Sequence, residues 1–304
     1  MRHITSIQKK VISFQEGISR FPTYRLYYWG NTKNGQGNFG DLLSQYIVNK
    51  ISGVDSICTY KQSHYKFIAV GSLINTKSIT TGGIFWGTGL SDESVIYSQS
   101  RYPVSFRAVR GPLTRQSLIQ AGYKCPAIFG DPALLLPKFY RPKVKKKYKT
   151  GWIPHYIHEG IKCDSDVKKI SMLCSSDDVE KKIDEICECE SVISSSLHGI
   201  IVANAYGIPA KYAKISDLPL GGCEGKKFSD YFLSVKMPDQ IPTVISTDDI
   251  VTEKITAGMN RTVDLKMDEE LLLDVFPYEI LGKYNSILNS NKIPKSDKLQ
   301  PWDL

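Results

Sequence analysis

The sequence contains no apolar run long enough to cross a lipid bilayer. Its most apolar stretches, Ile128–Leu136 and Ile200–Ala205, are far shorter than the roughly 20 residues that a membrane helix needs. Arg2, Lys9 and Lys10 are not followed by an apolar segment, so no secretory signal is expected. We therefore expect a cytoplasmic protein, either free or at the inner face of the membrane.

Disulfide and zinc frameworks are also missing. The seven cysteines are odd in number and irregularly spaced, which is typical of reduced thiols in a cytoplasm. Cys187 and Cys189 form a C-x-C pair without the two further ligands of a tetrahedral zinc site. We expect neither a metal nor a tightly bound cofactor.

Positive charge is concentrated in one segment. Much of the formal net charge of +8 lies in Arg141–Lys149, RPKVKKKYK. Three interpretations are open: a solvated linker, a patch that faces anionic lipid or a lipid-linked substrate, and a nucleic-acid site. No pattern of interleaved aromatic and basic residues supports the third, so we expect no nucleic-acid partner. The oligomeric state is left open.

Short apolar segments alternate with amphipathic ones, which predicts parallel α/β layers. The predicted strands are Tyr24–Trp29, Phe67–Val70, Ile84–Trp86, Ser105–Arg110, Thr150–Pro154, Lys169–Leu173 and Ser191–Ser194. The predicted helices are Asp41–Ile51, one beginning near Pro112, Asp177–Cys187, Leu197–Tyr206, and Met267–Ser290 with a break at Phe276–Pro277. A change of composition at Tyr140–Thr150 divides the chain into lobes 1–145 and 146–265 and a C-terminal helical segment, 266–304.

Open α/β sheets bind ligands outside the carboxyl ends of their strands, so the loops there are the candidate sites. The first loop, Asn31–Asp41, is rich in glycine and ends at Asp41, which suits the start of a helix. Its spacing matches neither a dinucleotide fingerprint nor a P-loop. A flexible loop with an ordinary helix cap is the alternative to an anion site.

The second loop carries two arginines. Arg110 ends a strand, and Arg115 lies about one helical turn beyond Pro112. A guanidinium at a strand end can bind a carboxylate or a phosphate through two parallel hydrogen bonds. A plain surface role is the alternative for both side chains.

The third loop runs from a strand into three serines, after which His198 opens a helix. Hydroxyls and free N–H groups at a helix N-terminus suit phosphate, and a histidine there can transfer protons near neutral pH. The alternative is a capping cluster with a structurally satisfied histidine. His155 and His158 follow another strand; a surface loop is their simplest interpretation, although they are also candidates for an acceptor site.

Four motifs, in this order and spacing, resemble the polysaccharide pyruvyltransferase family. They are Asn38–Asp41 (NFGD), Val109–Arg115 (VRGPLTR), Gly130–Pro137 (GDPALLLP) and Ser194–Pro209 (SSSLHGIIVANAYGIP). Phe276–Glu279 (FPYE) is similar to the family's final helix, and the likeness extends over roughly residues 24–280.

The resemblance implies an α/β fold of the GT-B-like kind: two Rossmann-like lobes with parallel sheets facing a central cleft, and a C-terminal helix packing back on the N-terminal lobe. It implies phosphoenolpyruvate as donor substrate and a saccharide or lipid-linked oligosaccharide as acceptor. In the family motif S-x-R-L-H-G, arginine and histidine hold and activate the donor. His198 matches the histidine, whereas Ser196 stands where many members have arginine.

The expected reaction moves the enolpyruvyl group of phosphoenolpyruvate onto two sugar hydroxyls as a ketal, with release of phosphate. The predicted catalytic residues are His198, as general acid, and Asp41, as base toward the acceptor. The predicted donor-binding residues are Arg110, Arg115, Ser194, Ser195, Ser196, Gly199 and Lys211. The predicted acceptor-binding residues are Asn38, Gly40 and His155.

Two other functions fit parts of the pattern. The segment HGIIVANAYGIP resembles, in its spacing of residue types, the sugar-nucleotide motif of GT-B glycosyltransferases. Retaining enzymes of that kind place acidic residues in this motif, whereas this chain has none between Leu197 and Ser216. A non-catalytic saccharide-binding protein is the other alternative. The joint presence of Asp41, Arg110 and His198 argues against it.

Overall fold

The computed structural model describes residues 23–29, 35–59, 66–91, 99–238, 240–256, 259 and 262–280. Some predictions lie outside these residues. They concern the N-terminal segment with Arg2, Lys9 and Lys10, the first part of the glycine-rich loop (31–34), and the predicted helix beyond residue 280.

Short strands alternate with helices along the described chain. The strands are β1 (Arg25–Leu26), β2 (Gly37–Asn38), β3 (Ile57–Cys58), β4 (Phe67–Ile68), β5 (Ser72–Ile74), β6 (Gly83–Trp86), β7 (Gly89–Leu90), β8 (Val104–Ala108), β9 (Tyr148–Ile153), β10 (Lys162–Cys163), β11 (Val167–Lys169), β12 (Leu173–Cys174), β13 (Cys189–Ser194), β14 (Ala210–Ile215), β15 (Thr243–Ile245) and β16 (Ile250–Val251). The α-helices are α1 (Phe39–Ser52), α2 (Thr76–Thr80), α3 (Pro112–Gln120), α4 (Leu136–Phe139), α5 (Val179–Cys187), α6 (Leu197–Ala205), α7 (Glu224–Ser234) and α8 (Glu269–Asp274). Short 3₁₀ helices lie at Pro132–Leu135, Tyr156–His158, Ser176–Asp178 and Glu253–Thr256.

Five parallel strands form the first sheet, in the order β3-β1-β4-β6-β8. Two of its central strands, β4 and β6, are apolar throughout, and every one of their residues is buried. This pattern is typical of a parallel sheet that is covered on both faces. α1 begins where the Asn38 side chain accepts a hydrogen bond from the Gly40 N–H at 3.2 Å, and it ends at Gly53, whose φ is +69°.

The second sheet is also parallel, in the order β11-β9-β13-β14-β15. β9 and β13 are central strands, paired from Tyr148 opposite Cys189 to Ile153 opposite Ser194. α5 and α6 pack against β13. Trp152 and Ile193 belong to a buried apolar cluster of this sheet. The prediction of a mixed α/β fold with parallel sheets is therefore confirmed.

The strand predicted over Lys169–Leu173 is wrong. β11 ends at Lys169, and β12 begins only at Leu173. Between them, the Glu159 carboxylate accepts hydrogen bonds from Ser171 Oγ at 2.6 Å and from the Met172 N–H at 3.3 Å. These bonds turn the chain out of the second sheet, and β12 pairs with β2 in antiparallel fashion instead.

The last described residues contact the first sheet. α8 ends at Asp274, shortly before Phe276-Pro277. Trp86 Nε1 donates a hydrogen bond to the Leu272 carbonyl at 2.9 Å. The Phe276 ring lies 5.1 Å from that of Trp86 and 5.4 Å from that of Tyr24, in edge-on geometry. In the part of the chain that the structure describes, no helix combines the length and apolar character needed to span a bilayer.

Candidate active site

Residues that follow β13 of the second sheet meet residues that follow β2 at the start of two helices. β13 runs into the serines, and α6 then places His198 in its first turn. α1, which follows β2, places Asp41 in its own first turn. The His198 ring lies directly against Gly40, where a Cβ atom would overlap it, so only glycine permits this approach. The structure thus brings together Gly40, Asp41 and His198, three of the predicted site residues.

Asp41 is a buried carboxyl group, 8 % exposed. Burial raises its pKa from 3.8 to about 7, although the positive charge of a protonated His198 and a hydrogen bond with the Asn38 side chain act in the opposite direction. The Asp41 carboxylate lies close to Gly71, at the end of β4. It also helps to raise the pKa of the buried Tyr27 hydroxyl, at the end of β1. Asp41 is therefore a group that can exchange protons near neutral pH.

Asp131 is a site residue that the sequence analysis missed. Its Oδ2 lies 3.6 Å from His198 Nε2, which is within ion-pair range but too long for a hydrogen bond. Both atoms are buried and have no hydrogen-bond partner among the described residues. The other carboxylate oxygen accepts a hydrogen bond from the Ala133 N–H at 3.0 Å. His198 therefore lies within ion-pair distance of Asp131 and close enough to Asp41 to influence its pKa.

A signal for Asp131 was present in the sequence. The Gly130-Asp131-Pro132 motif directly follows Phe129, which extends the first sheet through a parallel bridge to Val109. Asp131 then caps the 3₁₀ helix Pro132–Leu135. Ligand-binding residues of open α/β sheets lie just after the carboxyl ends of strands. Asp131 has this position, as Arg110 does, and could have been chosen as a candidate for the same reason.

Arg110 follows β8 and is 1 % exposed. Its Nε donates to Asp230 Oδ2 at 3.2 Å, and its Nη1 donates to Ser72 Oγ at 2.7 Å. The guanidinium lies flat against Gly89, where a Cβ atom would overlap it. The sequence analysis predicted Arg110 as an anion-binding side chain at a strand end, with a surface role as the alternative; its burial excludes the surface role. In the structure the side chain is covered and held on two sides.

Asp230 connects α7 to the start of α3. Its Oδ1 accepts hydrogen bonds from the backbone N–H groups of Leu113 at 2.9 Å and Thr114 at 3.0 Å. Its Oδ2 accepts one from Thr114 Oγ1 at 2.7 Å in addition to the bond from Arg110. Asp230 therefore caps a helix and orients Arg110 at the same time.

The serines between β13 and α6 are engaged within the protein. Ser194 Oγ donates to the Ile153 carbonyl at 2.8 Å and accepts from the Ser196 N–H at 3.0 Å, and Gly199 packs closely on this hydroxyl. Ser196 begins α6, and no side chain caps the helix there. Among these residues, the backbone N–H groups of the first turn of α6 are the ones suited to an anion.

Ser195 connects β13 to the loop after β9. Its hydroxyl accepts a hydrogen bond from the His155 N–H at 2.9 Å and lies 2.9 Å from His158 Nδ1. His158 Nε2 lies 2.8 Å from the Leu218 carbonyl, to which it can only donate, so Nδ1 accepts from Ser195. His158 is thus a buried structural histidine.

A half-buried histidine, His155, lies near Lys227, a half-buried lysine that in turn lies near Arg110. Burial and the positive charge of Lys227 lower the pKa of His155 to about 3, so its ring is neutral. Burial and the charge of Arg110 lower the pKa of Lys227 to about 8. The sequence analysis did not identify Lys227, because it lies on α7, an amphipathic helix without any motif.

Two predicted donor-binding residues lie apart from this group. Arg115 Nε donates to the Cys125 carbonyl at 3.0 Å, beyond the end of α3. Lys211 Nζ donates to the Ile255 carbonyl at 3.1 Å, on the 3₁₀ helix Glu253–Thr256. Neither side chain shares a hydrogen bond or an ion pair with Asp41, Arg110 or His198 in the described chain. Within the same residues, no cluster of three metal-ligating side chains occurs.

Comparison with known proteins identifies relatives. The family model of the polysaccharide pyruvyl transferases matches residues 18–210. The chain is 29 % identical over 210 residues to the uncharacterized protein L143 of Acanthamoeba polyphaga mimivirus, a match that covers 64 % of this chain and 69 % of the viral protein. It is 25 % identical over 192 residues to the succinoglycan biosynthesis protein ExoV of Rhizobium meliloti, which covers 60 % of this chain and 57 % of that protein.

Among solved structures, a functional uncharacterized protein from Klebsiella pneumoniae is similar with a TM-score of 0.44 and 16 % identity, over 80 % of this chain and 99 % of that one. Because the family model covers more than half of the sequence and includes Asp41, Arg110, Asp131 and His198, the chain belongs to the polysaccharide pyruvyl transferase family and is an enzyme of that class.

Proposed function

We propose that this enzyme transfers the enolpyruvyl unit of phosphoenolpyruvate to two hydroxyls of a sugar in a surface polysaccharide or its lipid-linked precursor. The product is a pyruvate ketal, and phosphate is released. The observation that carries the proposal is the buried group of His198, Asp131 and Asp41, in which His198 lies 3.6 Å from Asp131 and influences the pKa of Asp41. Family membership supports the transfer of a pyruvyl group.

The proposed architecture has two lobes and a shared cleft. Lobe 1–145 supplies the acceptor side and part of the donor site, lobe 146–265 supplies the donor side, and 266–304 returns to the first lobe. The contact between Gly40 and His198 supports this arrangement, because Gly40 belongs to segment 1–145 and His198 follows a strand of the second sheet. So does the bond from Trp86 to the Leu272 carbonyl.

The donor is an anion with a carboxylate and a phosphate, and its site needs positive charge and N–H donors. We assign Arg110 and the first turn of α6 to this task. Asp230 and Ser72 fix the guanidinium in one orientation, so that little conformational entropy is lost when the donor binds. The hydroxyls of Ser194 and Ser195 shape the turn that precedes α6.

The first chemical step protonates the methylene carbon of the donor. His198 gives this proton, and an oxocarbenium-like centre forms at the adjacent carbon. We assign the transfer to the imidazolium form of His198, whose Nε2–H is directed at the Asp131 carboxylate and whose Nδ1–H, on the side of Gly40, is the proton given to the donor; the imidazole that remains keeps its N–H on Nε2. The methylene becomes a methyl group, and no oxidant or reductant takes part.

The two sugar hydroxyls then add in turn to the same carbon. The first hydroxyl loses its proton as its oxygen bonds to the cationic centre, and Asp41 accepts that proton. Cleavage of the carbon–oxygen bond to phosphate regenerates the centre, and the second hydroxyl adds to it. Of the two hydroxyl protons, one replaces the proton that His198 gave and the other leaves with phosphate. The pKa of Asp41, about 7, suits a group that takes up and returns a proton near neutrality.

We place the acceptor near Asn38, Gly40 and His155. The neutral His155 ring can accept or donate a hydrogen bond to a sugar hydroxyl without attracting the anionic donor. A lipid-linked acceptor would be met at the inner face of the membrane. The exposed basic side chains of Arg141, Lys143 and Lys145 support contact with anionic lipid there.

Phosphate release from phosphoenolpyruvate tests this function. Wild-type enzyme is assayed with lipid-linked and simple galactosides and N-acetylmannosaminides, and without acceptor. Release that depends on an acceptor is expected, and His198→Gln should reduce it by about 10²–10⁴-fold. Asp264→Asn is the control, because Asp264 lies in an exposed ion pair with Lys266. A melting shift with a nucleotide-sugar and none with phosphoenolpyruvate would instead support a glycosyltransferase.

A further inference from the structure

α7 presents two charged residues toward the candidate site, one helical turn apart. Asp230 binds Arg110 and caps α3, as described above. Lys227 precedes it by three positions, a spacing that places both side chains on the same side of a helix. Its ammonium lies 5.5 Å from the centre of the Phe228 ring.

Lys227 is a half-buried cation whose charge is not neutralised within the described chain. No carboxylate lies within ion-pair distance of its Nζ atom among the described residues. Glu224, on the same helix, is engaged with the Leu220 N–H at 3.0 Å and the Tyr212 hydroxyl at 3.4 Å. The Asp230 carboxylate accepts four hydrogen bonds elsewhere. Lys227 therefore differs from an ordinary surface lysine, which is solvated or paired.

The surroundings of Lys227 disfavour the charged form of its ammonium group. Arg110, from the end of β8, adds a second positive charge, and burial removes water from the ammonium. Glu224 and Cys223 offset only part of this, and His155 and His158 contribute no compensating negative charge. Arg110 is already paired with Asp230, whereas Lys227 has no carboxylate partner in the described chain, so an anion that binds beside Arg110 stabilises the charged form of Lys227.

We propose that Lys227 is a donor-binding residue that contacts the anionic groups of phosphoenolpyruvate beside Arg110 and supplies the positive charge that Ser196 lacks. This inference rests on the proposed function. It explains how the chain can hold a strongly anionic donor with serine at the position where many relatives have arginine. It also replaces Lys211, which is bound to the Ile255 carbonyl.

The proposal predicts a specific pH dependence of donor affinity. The pKa of Lys227 is about 8 without the donor, and a bound anion favours the charged form. Binding is then accompanied by proton uptake near pH 8, and affinity declines as the pH rises from about 7 to about 9. A lysine with a purely structural role would not produce this dependence.

Calorimetric titration of the full-length protein with phosphoenolpyruvate tests the inference. Lys227→Gln is expected to weaken binding by about 10- to 100-fold, because a charge-assisted bond to the ligand is lost. Lys227→Arg should retain most of the affinity and lose the pH dependence above about pH 8, since arginine stays protonated. Lys226→Gln is the matched control, since the Lys226 ammonium reaches Ser117 on α3.

Each outcome bears on a different claim. Binding by wild type that weakens in Lys227→Gln but not in Lys226→Gln supports the assignment. Equal affinity in wild type and Lys227→Gln, with no loss of wild-type affinity toward pH 9, overturns the role of Lys227 and leaves the pyruvyl transfer intact. Absence of binding and of phosphate release in wild type overturns both. If Lys227→Gln does not fold, Lys227→Arg decides the matter: loss of affinity between about pH 8 and about pH 9 that is as large in this variant as in wild type overturns the role of Lys227.

Discussion

Replacing Asp41 by asparagine is expected to stabilise the fold at neutral pH while it removes activity. The pKa of Asp41 rises from 3.8 to about 7 in the folded protein. Because the folded state holds this proton more tightly than the unfolded chain, the stability that it contributes is fully present below pH 3.8 and is lost as the pH rises to about 7. At about 1.4 kcal/mol per pH unit, the loss amounts to roughly 4 kcal/mol.

Denaturant unfolding of wild type and Asp41→Asn measures directly how much folding stability is lost when Asp41 ionises. At about pH 4.5 the variant should be more stable by only about 1 kcal/mol, because most of the wild-type carboxyl groups are protonated in the folded state. At about pH 7.5 the difference should reach roughly 4 kcal/mol. Asp264→Asn is the control: its side chain is 67 % exposed, and the same pH change should leave its difference from wild type near zero.

The same variant separates stability from chemistry. Asp41→Asn should lose acceptor-dependent phosphate release by about 10²–10⁴-fold although it is the more stable protein. A stability difference that does not change between the two pH values would mean that the folded protein ionises Asp41 normally. That result would refute its role as a proton acceptor near neutrality.

Three further substitutions test the surroundings of His198 and Arg110. Asp131→Asn should lower kcat by about 100-fold or more and leave the Kd for phosphoenolpyruvate nearly unchanged, because it disturbs the orientation of His198; steady-state kinetics and calorimetry check this. Gly40→Ala should displace the His198 ring, abolish turnover and cost about 1–3 kcal/mol of unfolding free energy in a denaturant titration. Asp230→Ala should cost about 3–5 kcal/mol in the same assay, because it leaves the buried charge of Arg110 uncompensated. Unchanged stability of Asp230→Ala would contradict the conclusion that Asp230 compensates the charge of Arg110 and caps α3.

Local sequence patterns located most elements of both sheets. Apolar runs placed the strands at β4, β6 and β13 to within one or two residues, because central parallel strands are buried on both faces and tolerate few polar residues. The strand predicted over Tyr24–Trp29 is shorter, Arg25–Leu26, since the residues after it form the loop at the sheet edge. α7 was not predicted at all.

The helix ends were readable only in part from caps and breakers. Pro112 starts α3 as predicted. The prediction that α1 starts at Asp41 is wrong: the helix begins at Phe39, because the Asn38 side chain caps it, and Asp41 lies in its first turn. The break at Phe276-Pro277 falls just after the end of α8. By contrast, the turn that separates β11 from β12 depends on Glu159, which lies outside the apolar run, and no local rule connects the two.

The candidate site was predictable only in part. Strand-end position identified Asp41, Arg110 and His198, since that feature is local. The partners of these residues could not be predicted from local patterns, because they are distant in the sequence. Asp230 lies 120 positions from Arg110, and Asp131 and His198 are brought together only by the tertiary fold. The burial of Arg110 also follows from these tertiary contacts, which no local sequence pattern indicates.

The central claim is that His198 delivers a proton to the methylene carbon of phosphoenolpyruvate and that a ketal results. Running the reaction with an accepted saccharide in D₂O and examining the product by NMR tests it most directly. The account predicts a pyruvate ketal whose methyl group carries one deuterium, and no such product from His198→Gln. A product that retains the methylene group, or equal methyl labelling by the variant, would contradict it.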